Sequence, residues 1–433
     1  SLRRASALAA ALLGATLLLG ACGRSHPRSS GSRSASPFAS TPLSPAPPGP
    51  AFGLTEDNAD LLWNPGDAPS AAAAFATARA QLTALHPTYV RLLVDWAALQ
   101  PDGASSPALA GVVDGCARAV GPCGQYRGIA AELAAIATQQ RAERVEGRAD
   151  FQVVLDIFGV PDWAARAPSG CEAPDAQPFS RPITAAGMSG YRQLIRALLA
   201  LGSRESVQLS WWSPWNEPNN PQFLGPQRAA CTTRSPSLAP AVYAQLAQAM
   251  ADELEADGGT HHLLLGELAS YPTDSVHRTS IASFVSALPA SVLCSNDVWS
   301  IHAYASFGAN VPADEPVAAL ERALDARGKC GRAADIWVTE TGAGAPHPGR
   351  PRAVDSDEER SGCVALARSV IEWSGDARVG AIFQYTFRED PAFPVGLLGA
   401  DLAHVYPTYG LWASYTRMRA RGERPDSAAA LCA

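Results

Sequence analysis

The chain has 433 residues, 47% of them hydrophobic and 17% charged, which is enough apolar material for one large domain or two ordinary ones. Its 34 Lys plus Arg residues stand against 41 Asp plus Glu residues, so the net charge is -7, and no basic stripe is present to follow a phosphate backbone. The composition therefore indicates a globular protein and argues against nucleic acid as a partner. We expect a monomer.

The first residues of the chain have the three-part layout of a secretory signal peptide. Arg3 and Arg4 precede an apolar run over residues 5–19, and the small residues Gly20 and Ala21 follow it. The run is too short to span a bilayer comfortably. Residues 1–21 are therefore predicted to be a signal peptide.

The stretch Leu19-Gly20-Ala21-Cys22 resembles the bacterial lipobox. The resemblance implies cleavage before Cys22 and attachment of diacylglycerol to its sulfur, and more than one acyl chain would make the anchoring stable. The alternative is a plain signal peptide with an incidental cysteine. We expect export to the outer face of the bacterial cell membrane through a lipid anchor, or secretion in the alternative case.

The segment after the predicted cleavage site has a disordered composition. Residues 22–50 consist mainly of Ser, Pro, Arg and Gly with few apolar residues, so they cannot bury enough surface to offset the entropy of ordering. We interpret residues 22–50 as a tether and residues 51–433 as a single catalytic domain.

Eight cysteines remain when Cys22 is set aside, and an even number in an exported chain favours disulfides. Eight cysteines allow about 105 pairings. Among these, Cys116 with Cys123 could close a short loop, and sequential pairing of the other six would link consecutive loops. No C-x-x-C pair or Cys/His cluster indicates zinc, and we expect neither a metal nor a cofactor. The six cysteines other than Cys22, Cys116 and Cys123 are Cys171, Cys231, Cys294, Cys330, Cys363 and Cys432.

From residue 51 onward, short β-rich runs alternate with Ala-rich amphipathic stretches, a pattern typical of parallel strands joined by crossover helices. The predicted strands are residues 51–54, 89–94, 151–157, 207–213, 263–267, 298–302, 336–340 and 380–385. The predicted helices are residues 70–86, 125–146, 187–202, 238–257, 277–289, 314–328, 356–374 and 408–421. The pattern predicts an α/β fold, a (β/α)8 TIM barrel. The first strand is short, which leaves a doubly wound sheet as the alternative.

Two glutamates fall where barrel enzymes place catalytic groups, at the carboxyl ends of strands. Glu217 follows the fourth strand and Glu340 ends the seventh. In a ring of eight strands about 4.8 Å apart and tilted by about 36°, these two strands lie roughly 14 Å apart. If each side chain reaches roughly 4 Å inward, the carboxyl groups end roughly 5–6 Å apart, the separation of a retaining glycosidase.

Polar residues on two other strands are predicted to point into the barrel. Arg91 interrupts an apolar strand, and inside a barrel it needs an anionic partner such as Glu340. Structural pairing of Arg91 with Asp95 or Asp156 is the alternative. Period-2 alternation puts His302 with Ser300 and Tyr304 on the lumen side, although His302 also fits a core histidine. Glu267, at the end of the fifth strand, is left outside the catalytic set.

The chain resembles the clan A glycoside hydrolases, closest to families 5 and 39, through Asn216-Glu217-Pro218, Thr339-Glu340, Arg91 and His302-Ala303-Tyr304. The resemblance implies acid/base catalysis by Glu217, nucleophilic attack by Glu340 and a bond from Asn216 to the sugar 2-hydroxyl. It also implies that Arg91 and Tyr304 orient the nucleophile and that His302 lines the site.

Aromatic residues near the strand ends are candidates for stacking on sugar rings. Family members often carry a tryptophan at the end of strand 8, where this chain offers Tyr385 or Phe387 instead. Of the other aromatics near the mouth, about half should belong to the core because aromatic side chains are mostly buried. These others are Trp96, Trp163, Trp212, Trp215 and Tyr271. The predicted substrate-binding residues are Asn216, Arg91, His302, Tyr304, Trp215 and Tyr385.

The sequence therefore predicts a retaining glycoside hydrolase that cleaves β-glycosidic bonds of an oligo- or polysaccharide by double displacement. The alternative is a catalytically silent, carbohydrate-binding surface lipoprotein that keeps the barrel and its groove. A serine hydrolase or a metal-dependent hydrolase is disfavoured because the sequence has neither a G-x-S-x-G nor an H-E-x-x-H motif.

Overall fold

The structure is a computed structural model that describes residues 49–56, 72–111, 113–114, 125–126, 128–304, 315–344, 357–390 and 393–433. The predicted signal peptide, Cys22 and nearly all of the predicted tether lie outside these ranges. Cys116 and Cys123, whose pairing was also predicted, lie outside them as well.

Parallel strands form a barrel that closes through its fifth strand. The sheet has nine hydrogen-bonded segments, and its two edge segments are the two pieces of β5, which Leu264 alone separates. The first piece pairs with β4 and the second with β6, and the backbone N–H of Leu264 donates to the carbonyl of Trp212. The strands are β1 Ala51–Glu56, β2 Tyr89–Asp95, β3 Gln152–Phe158, β4 Leu209–Ser213, β5 His262–Leu263 with Leu265–Leu268, β6 Val298–His302, β7 Asp335–Thr341 and β8 Val379–Tyr385.

A main helix follows each strand, so the predicted (β/α)8 TIM barrel is confirmed and the doubly wound alternative is wrong. The helices are α1 Ala72–Leu85, α2 Gly128–Val145, α3 Ala185–Glu205, α4 Ala239–Asp257, α5 Ile281–Ala287, α6 Glu315–Asp325, α7 Asp357–Gly375 and α8 Pro407–Ala420. Shorter helices are Trp96–Leu99, Ala290–Leu293, Lys329–Ala333 and Ala428–Leu431, with 3-10 turns at Asp162–Ala164 and Pro178–Ser180. None of the helices in the described ranges is both long and apolar enough to cross a bilayer.

Two predicted helices differ from the observed ones for local reasons. Gln125–Tyr126 pairs antiparallel with Val113–Asp114, and helix α2 starts only at Gly128, whose φ of 78° is not helical. The predicted helix over residues 277–289 is shorter at both ends. Ser280 caps its start by accepting from the N–H of Ser283, and Pro289, which cannot donate a backbone hydrogen bond, separates α5 from Ala290–Leu293.

Alternation along the strands divides the interior into two apolar layers. Outward-facing strand residues pack against the helices in a large cluster, whereas a smaller cluster fills the lumen with side chains that include Trp337 and Phe383. Gly53 is required in this layer, since a Cβ atom there would lie 2.3 Å from the ring of Phe383. The apolar plug closes the bottom of the lumen, and polar residues occupy the level above it.

Three disulfides pair the six described cysteines in sequence order, which confirms the predicted sequential pairing. Cys171–Cys231 links the loop after β3 to the loop after β4 and thus lies at the carboxyl end of the barrel. Cys294–Cys330 links the segments that precede β6 and β7, at the opposite end. Cys363–Cys432 attaches α7 to the C-terminal residues.

Candidate active site

Glu217 and Glu340 face each other at the carboxyl end of the barrel. Their side chains keep 14% and 9% of their exposure. Together with a nitrogen of His302, one carboxylate oxygen from each forms a set whose atoms all lie within 4.8 Å of one another. The separation is just under the roughly 5–6 Å expected from barrel geometry and far below the gap of about 6.5–9.5 Å found in inverting enzymes.

The loop after β4 holds Glu217 in an unusual backbone conformation. Its φ is 39°, in the left-handed region that residues other than glycine rarely adopt. The backbone N–H of Asn216 donates to Ile157 at the end of β3, and Nδ2 of Asn220 donates to Oε2 of Glu217. Asn219 bridges to the loop after β5 by accepting from the N–H of Ala269 and donating to its carbonyl. These bonds fix the position of the carboxylate.

Arg91 lies fully buried beneath the two glutamates and contacts three carboxylates at once. Its guanidinium nitrogens are 2.9 Å from Glu340, 2.7 Å from Asp156 and 3.2 Å from Glu267. Burial alone would lower the pKa of Arg91, but the negative charges around it raise the pKa above its ordinary value. The sequence suggested either Glu340 or Asp156 as the partner of Arg91, and the structure shows that Arg91 pairs with both.

Two details of the sequence interpretation are corrected at Arg91. Pairing with Asp95 is wrong, because Asp95 caps the short helix Trp96–Leu99 by accepting from the N–H of Ala98. Placement of Arg91 among substrate-binding residues is also wrong, because its side chain has no exposure and contacts Glu340 from below. Arg91 is a positioning residue for that carboxylate.

Tyr304 is the second group that orients Glu340. Its hydroxyl donates to Oε2 of Glu340 over 2.6 Å. Burial and then the negative charge of Glu340 hold the pKa of Tyr304 well above its ordinary value, so the hydroxyl keeps its proton and remains a donor. Arg91 and Tyr304 thus bind different oxygens of the same carboxylate.

His302 and Glu267 complete the centre of the site. Nδ1 of His302 lies 2.8 Å from Oε1 of Glu217, and Nε2 lies 2.8 Å from Oε2 of Glu267. Burial lowers the pKa of His302, but the charge of Glu340 and the bonds to Glu217 and Glu267 outweigh it and raise the pKa to about 10. His302 therefore lies in the site and is not an isolated core histidine.

Glu267, which the sequence analysis left out, is a fully buried member of the network. It accepts hydrogen bonds from the hydroxyls of Ser213 at 2.7 Å and Thr339 at 2.5 Å. Burial by itself would raise the pKa of Glu267, but Arg91 and His302 outweigh this effect and bring the pKa to about 2. The backbone of Glu267 has a φ of 50°. The signal in the sequence was the one that identified Arg91, a charged residue within an apolar strand.

The aromatic candidates divide between core and cleft. Trp215 has no exposed surface and its Nε1 donates to the carbonyl of Phe223, so the prediction that it contacts substrate is wrong. Phe387 is likewise buried, whereas Tyr385, the last residue of β8, is partly exposed. Phe393, which the sequence analysis missed, packs 5.0 Å from Tyr304 and 5.7 Å from Tyr385. These three rings form an aromatic wall beside Glu340.

Two of the remaining mouth aromatics belong to the core and two are partly exposed. Trp96 and Trp212 are fully buried. Trp163 packs edge-on against Trp96, with a ring centroid separation of 5.9 Å. Burial and the negative charge of nearby Glu217 raise the pKa of the Tyr271 hydroxyl to about 12. The guanidinium of Arg278 lies over the Tyr271 ring.

Glu217, His302 and Glu340 have the spacing of possible metal ligands. Each, however, is already engaged within the network, since His302 bonds Glu217, and Glu340 accepts from Arg91 and Tyr304. The three side chains form one hydrogen-bonded network.

The fold is shared with solved structures, among them two GH5_18 proteins. A variant of a GH5_18 protein from Bifidobacterium longum subsp. longum, in complex with Manβ1-4GlcNAc, is 13% identical with a TM-score of 0.53, covering 87% of this chain and 80% of that one. A GH5_18 variant from Streptomyces cattleya with the same ligand is 16% identical with a TM-score of 0.50, covering 88% and 87%. SrfJ from Salmonella typhimurium is 10% identical with a TM-score of 0.55, covering 86% and 75%.

These likenesses show that the chain shares the barrel fold of these proteins, and at such identities they show the fold alone. No family model matches the chain, and no curated protein matches it.

Proposed function

We propose that this protein is a retaining glycoside hydrolase that cleaves β-glycosidic bonds, with Glu217 as the acid/base and Glu340 as the nucleophile. The observation that carries the proposal is the approach of their carboxylate oxygens to within 4.8 Å at the carboxyl end of the barrel. That spacing suits direct attack by one carboxylate and leaves no room for the water that an inverting enzyme places between its two acids.

The two carboxylates have different surroundings, as double displacement requires. Glu340 accepts hydrogen bonds from the guanidinium of Arg91 and from the hydroxyl of Tyr304. Glu217 has no cationic contact other than His302, and a neutral amide, Asn220, binds its other oxygen. Two donors thus hold Glu340 in a fixed orientation, as a nucleophile needs, whereas Glu217 contacts an imidazole and an amide, as suits a group that exchanges a proton.

In the first step, an oxygen of Glu340 attacks the anomeric carbon while Glu217 gives its proton to the departing glycosidic oxygen. A bond forms between Glu340 and the sugar, and the glycosidic bond breaks. In the second step, Glu217 takes a proton from water, whose oxygen attacks the same carbon and releases Glu340. Glu217 is then protonated again for the next cycle.

Two further residues are proposed to contact the sugar. Oδ1 of Asn216 accepts from Arg91, so its Nδ2 is left to donate to the 2-hydroxyl. Tyr385, in the aromatic wall, is placed to stack on an apolar sugar face. The substrate class is an oligo- or polysaccharide, and β-mannosides belong in the first panel because two structural neighbours hold Manβ1-4GlcNAc.

Covalent labelling tests the proposal. A panel of 2-deoxy-2-fluoro-β-glycosyl fluorides with different sugars should inactivate the protein, and peptide mapping should find the sugar on Glu340. The variant Glu340→Gln should neither turn over aryl glycosides nor become labelled. Label on another residue, or full activity in the variant, would overturn the assignment. Binding of oligosaccharides without turnover of any β-glycoside would favour a silent carbohydrate-binding protein.

We also propose that the protein is exported and anchored by lipid at Cys22. On this proposal residues 1–21 are removed, residues 22–50 tether the protein to the membrane and residues 51–433 form the catalytic unit. The proposal rests on the lipobox-like residues before Cys22 and on the Ser- and Pro-rich composition of the tether. Disulfides in the barrel agree with an oxidising compartment.

A further inference from the structure

His302 is surrounded by charged groups on both ring nitrogens. On one side, Nδ1 lies 2.8 Å from Oε1 of Glu217 and 3.4 Å from Oε2 of Glu340. On the other side, Nε2 lies 2.8 Å from Oε2 of Glu267 and 3.5 Å from Nη2 of Arg91. Each ring nitrogen therefore has a carboxylate as its nearest partner, and the position of the ring protons depends on which carboxylates accept.

Glu267 can only accept. Ser213 and Thr339 donate hydroxyl protons to its two oxygens, and Arg91 donates to both from Nε and Nη2. A carboxylate with this many donors, two of them from a guanidinium, is ionised and has no proton to give. The contact to Nε2 of His302 must therefore be a hydrogen bond in which the imidazole donates.

Arg91 does not offer Nε2 an alternative role. A guanidinium has only donors, and its approach to Nε2 is 3.5 Å, compared with 2.8 Å for Glu267. The shorter contact decides the protonation, so the proton lies on Nε2. His302 is fixed as the Nε2–H tautomer or as the doubly protonated imidazolium.

The consequence lies at Nδ1, which faces Glu217. Between two atoms 2.8 Å apart there is room for one proton. If Glu217 carries it, Nδ1 of a neutral imidazole accepts. If Glu217 is ionised, the imidazolium donates. With the opposite tautomer, neutral His302 would already hold a proton on Nδ1, and a protonated Glu217 could not share the contact.

We propose that Glu267 is a positioning residue that fixes His302 as the Nε2–H tautomer, so that Nδ1 of His302 and Glu217 share a single proton. When Glu217 gives that proton to a leaving group, Nδ1 keeps its lone pair and stays an acceptor, and the contact regains its proton when Glu217 takes one from the attacking water. The catalytic meaning of this arrangement rests on the proposed function, whereas the tautomer itself does not.

Nitrogen NMR of the wild-type protein tests the tautomer directly. With 15N-labelled histidine, the ring signals of His302 are assigned as those missing from His302→Gln. The expected pattern is a protonated Nε2 throughout neutral pH. In Glu267→Gln the side-chain amide can donate to Nε2, so the ring proton should move to Nδ1. A wild-type spectrum with an unprotonated Nε2, or an unchanged ring in a folded Glu267→Gln variant, would overturn the proposal.

Kinetics separate positioning from a merely structural role. Glu267→Gln should lose on the order of 100-fold in kcat on aryl glycosides with poor leaving groups, but less than about 10-fold on dinitrophenyl glycosides, which need little acid assistance. Asp156→Asn is the matched control, since Asp156 is also a buried partner of Arg91 but has no hydrogen bond to His302. It should affect both substrate types alike.

Failure of the positioning role and failure of the proposed function give different results. Equal losses on both substrate types in Glu267→Gln would overturn the positioning role even in an active enzyme. If no glycoside is hydrolysed by the wild-type protein, the proposed function fails, and the NMR measurement still decides whether Glu267 fixes the tautomer.

Discussion

Nη1 of Arg91 on β2 lies 2.9 Å from Oε1 of Glu340 on β7, so a buried cation contacts the proposed nucleophile across the barrel lumen. The contact exists because both residues point inward at the polar level above the apolar plug. The same side chain therefore packs in the barrel interior and contacts a carboxylate of the cleft.

Removal of this cation should destabilise the fold as well as the site. Arg91→Met leaves three buried carboxylates without their shared partner, and we expect a loss of about 3–5 kcal/mol in the free energy of unfolding, as for other broken buried pairs. Urea denaturation measures it. The control Arg192→Met breaks a partly exposed contact to Asp252 and should cost no more than about 1 kcal/mol. Equal losses in the two variants would contradict the central role of Arg91.

The hydroxyl of Tyr304 should matter for catalysis more than for stability. Tyr304→Phe removes a hydrogen bond to a charged oxygen of Glu340, worth about 1.5–3 kcal/mol, which corresponds to a fall of roughly 10- to 150-fold in kcat. Steady-state kinetics and thermal unfolding measure the two effects. Tyr409→Phe, whose hydroxyl donates to the carbonyl of Gln81 at the outer helices, should leave kcat unchanged. An unaltered kcat in Tyr304→Phe would rule out its positioning role.

Two disulfides at opposite ends of the barrel should have separable effects. They span 60 and 36 residues, and chain entropy alone gives each about 4 kcal/mol of stabilisation. Replacement of Cys171 and Cys231 by Ala should also raise KM, because this bond holds the loops beside Glu217. Replacement of Cys294 and Cys330 should lower Tm with KM unchanged. If KM rose equally in both double variants, this would contradict the conclusion that only the Cys171–Cys231 disulfide lies at the end of the barrel that holds the site.

The stability should depend on pH through His302 and Glu267. The folded pKa of His302, about 10, lies above its ordinary value of 6.5, so its contribution is complete below pH 6.5 and is lost as pH rises through 10. The folded pKa of Glu267, about 2, lies below its ordinary 4.5, so its contribution is present above pH 4.5 and is lost as pH falls through 2.

Urea unfolding between pH 5 and pH 10 measures this linkage. The difference in unfolding free energy between wild type and His302→Gln should be largest near pH 5 and should shrink steadily above 6.5. A difference that stays constant across this range would show that His302 has no raised pKa.

Cys22 should determine where the protein resides. If diacylglycerol is attached to its sulfur, Cys22→Ser should release the protein to the medium or the periplasm, since the remaining apolar run is too short for stable anchoring. Fractionation of cells that express both forms is the measurement. Membrane association that is unchanged in the variant would defeat the proposal.

The barrel could be predicted from the sequence because its signals are local. Eight apolar runs alternate with amphipathic stretches, and this pattern depends only on which residues neighbour each other along the chain. The same periodicity placed Ser300, His302 and Tyr304 on one face of β6. The proposed catalytic carboxylates followed from their position at strand ends, a rule that holds for the fold as a whole.

Trp215 and Glu267 show where such reasoning stops. Both lie at strand ends, where the sequence offers the same signal for a cleft residue as for a core residue. Trp215 is buried because its ring turns into the packing between strands and helices, and Glu267 becomes central because four other strands bring donors to its carboxylate. Neither the burial of Trp215 nor the contacts of Glu267 can be read from the few residues on either side of them in the sequence.

The sequence by itself determined the order of strands and helices and the residues available for acid/base chemistry, since these follow from composition, periodicity and spacing, whereas the disulfide pairing needed the structure. Only the tertiary structure decided which carboxylate contacts which cation and on which nitrogen His302 meets Glu267. Those choices depend on distances of about 3 Å between atoms on different strands, and such distances are set by barrel closure and not by neighbours in the chain.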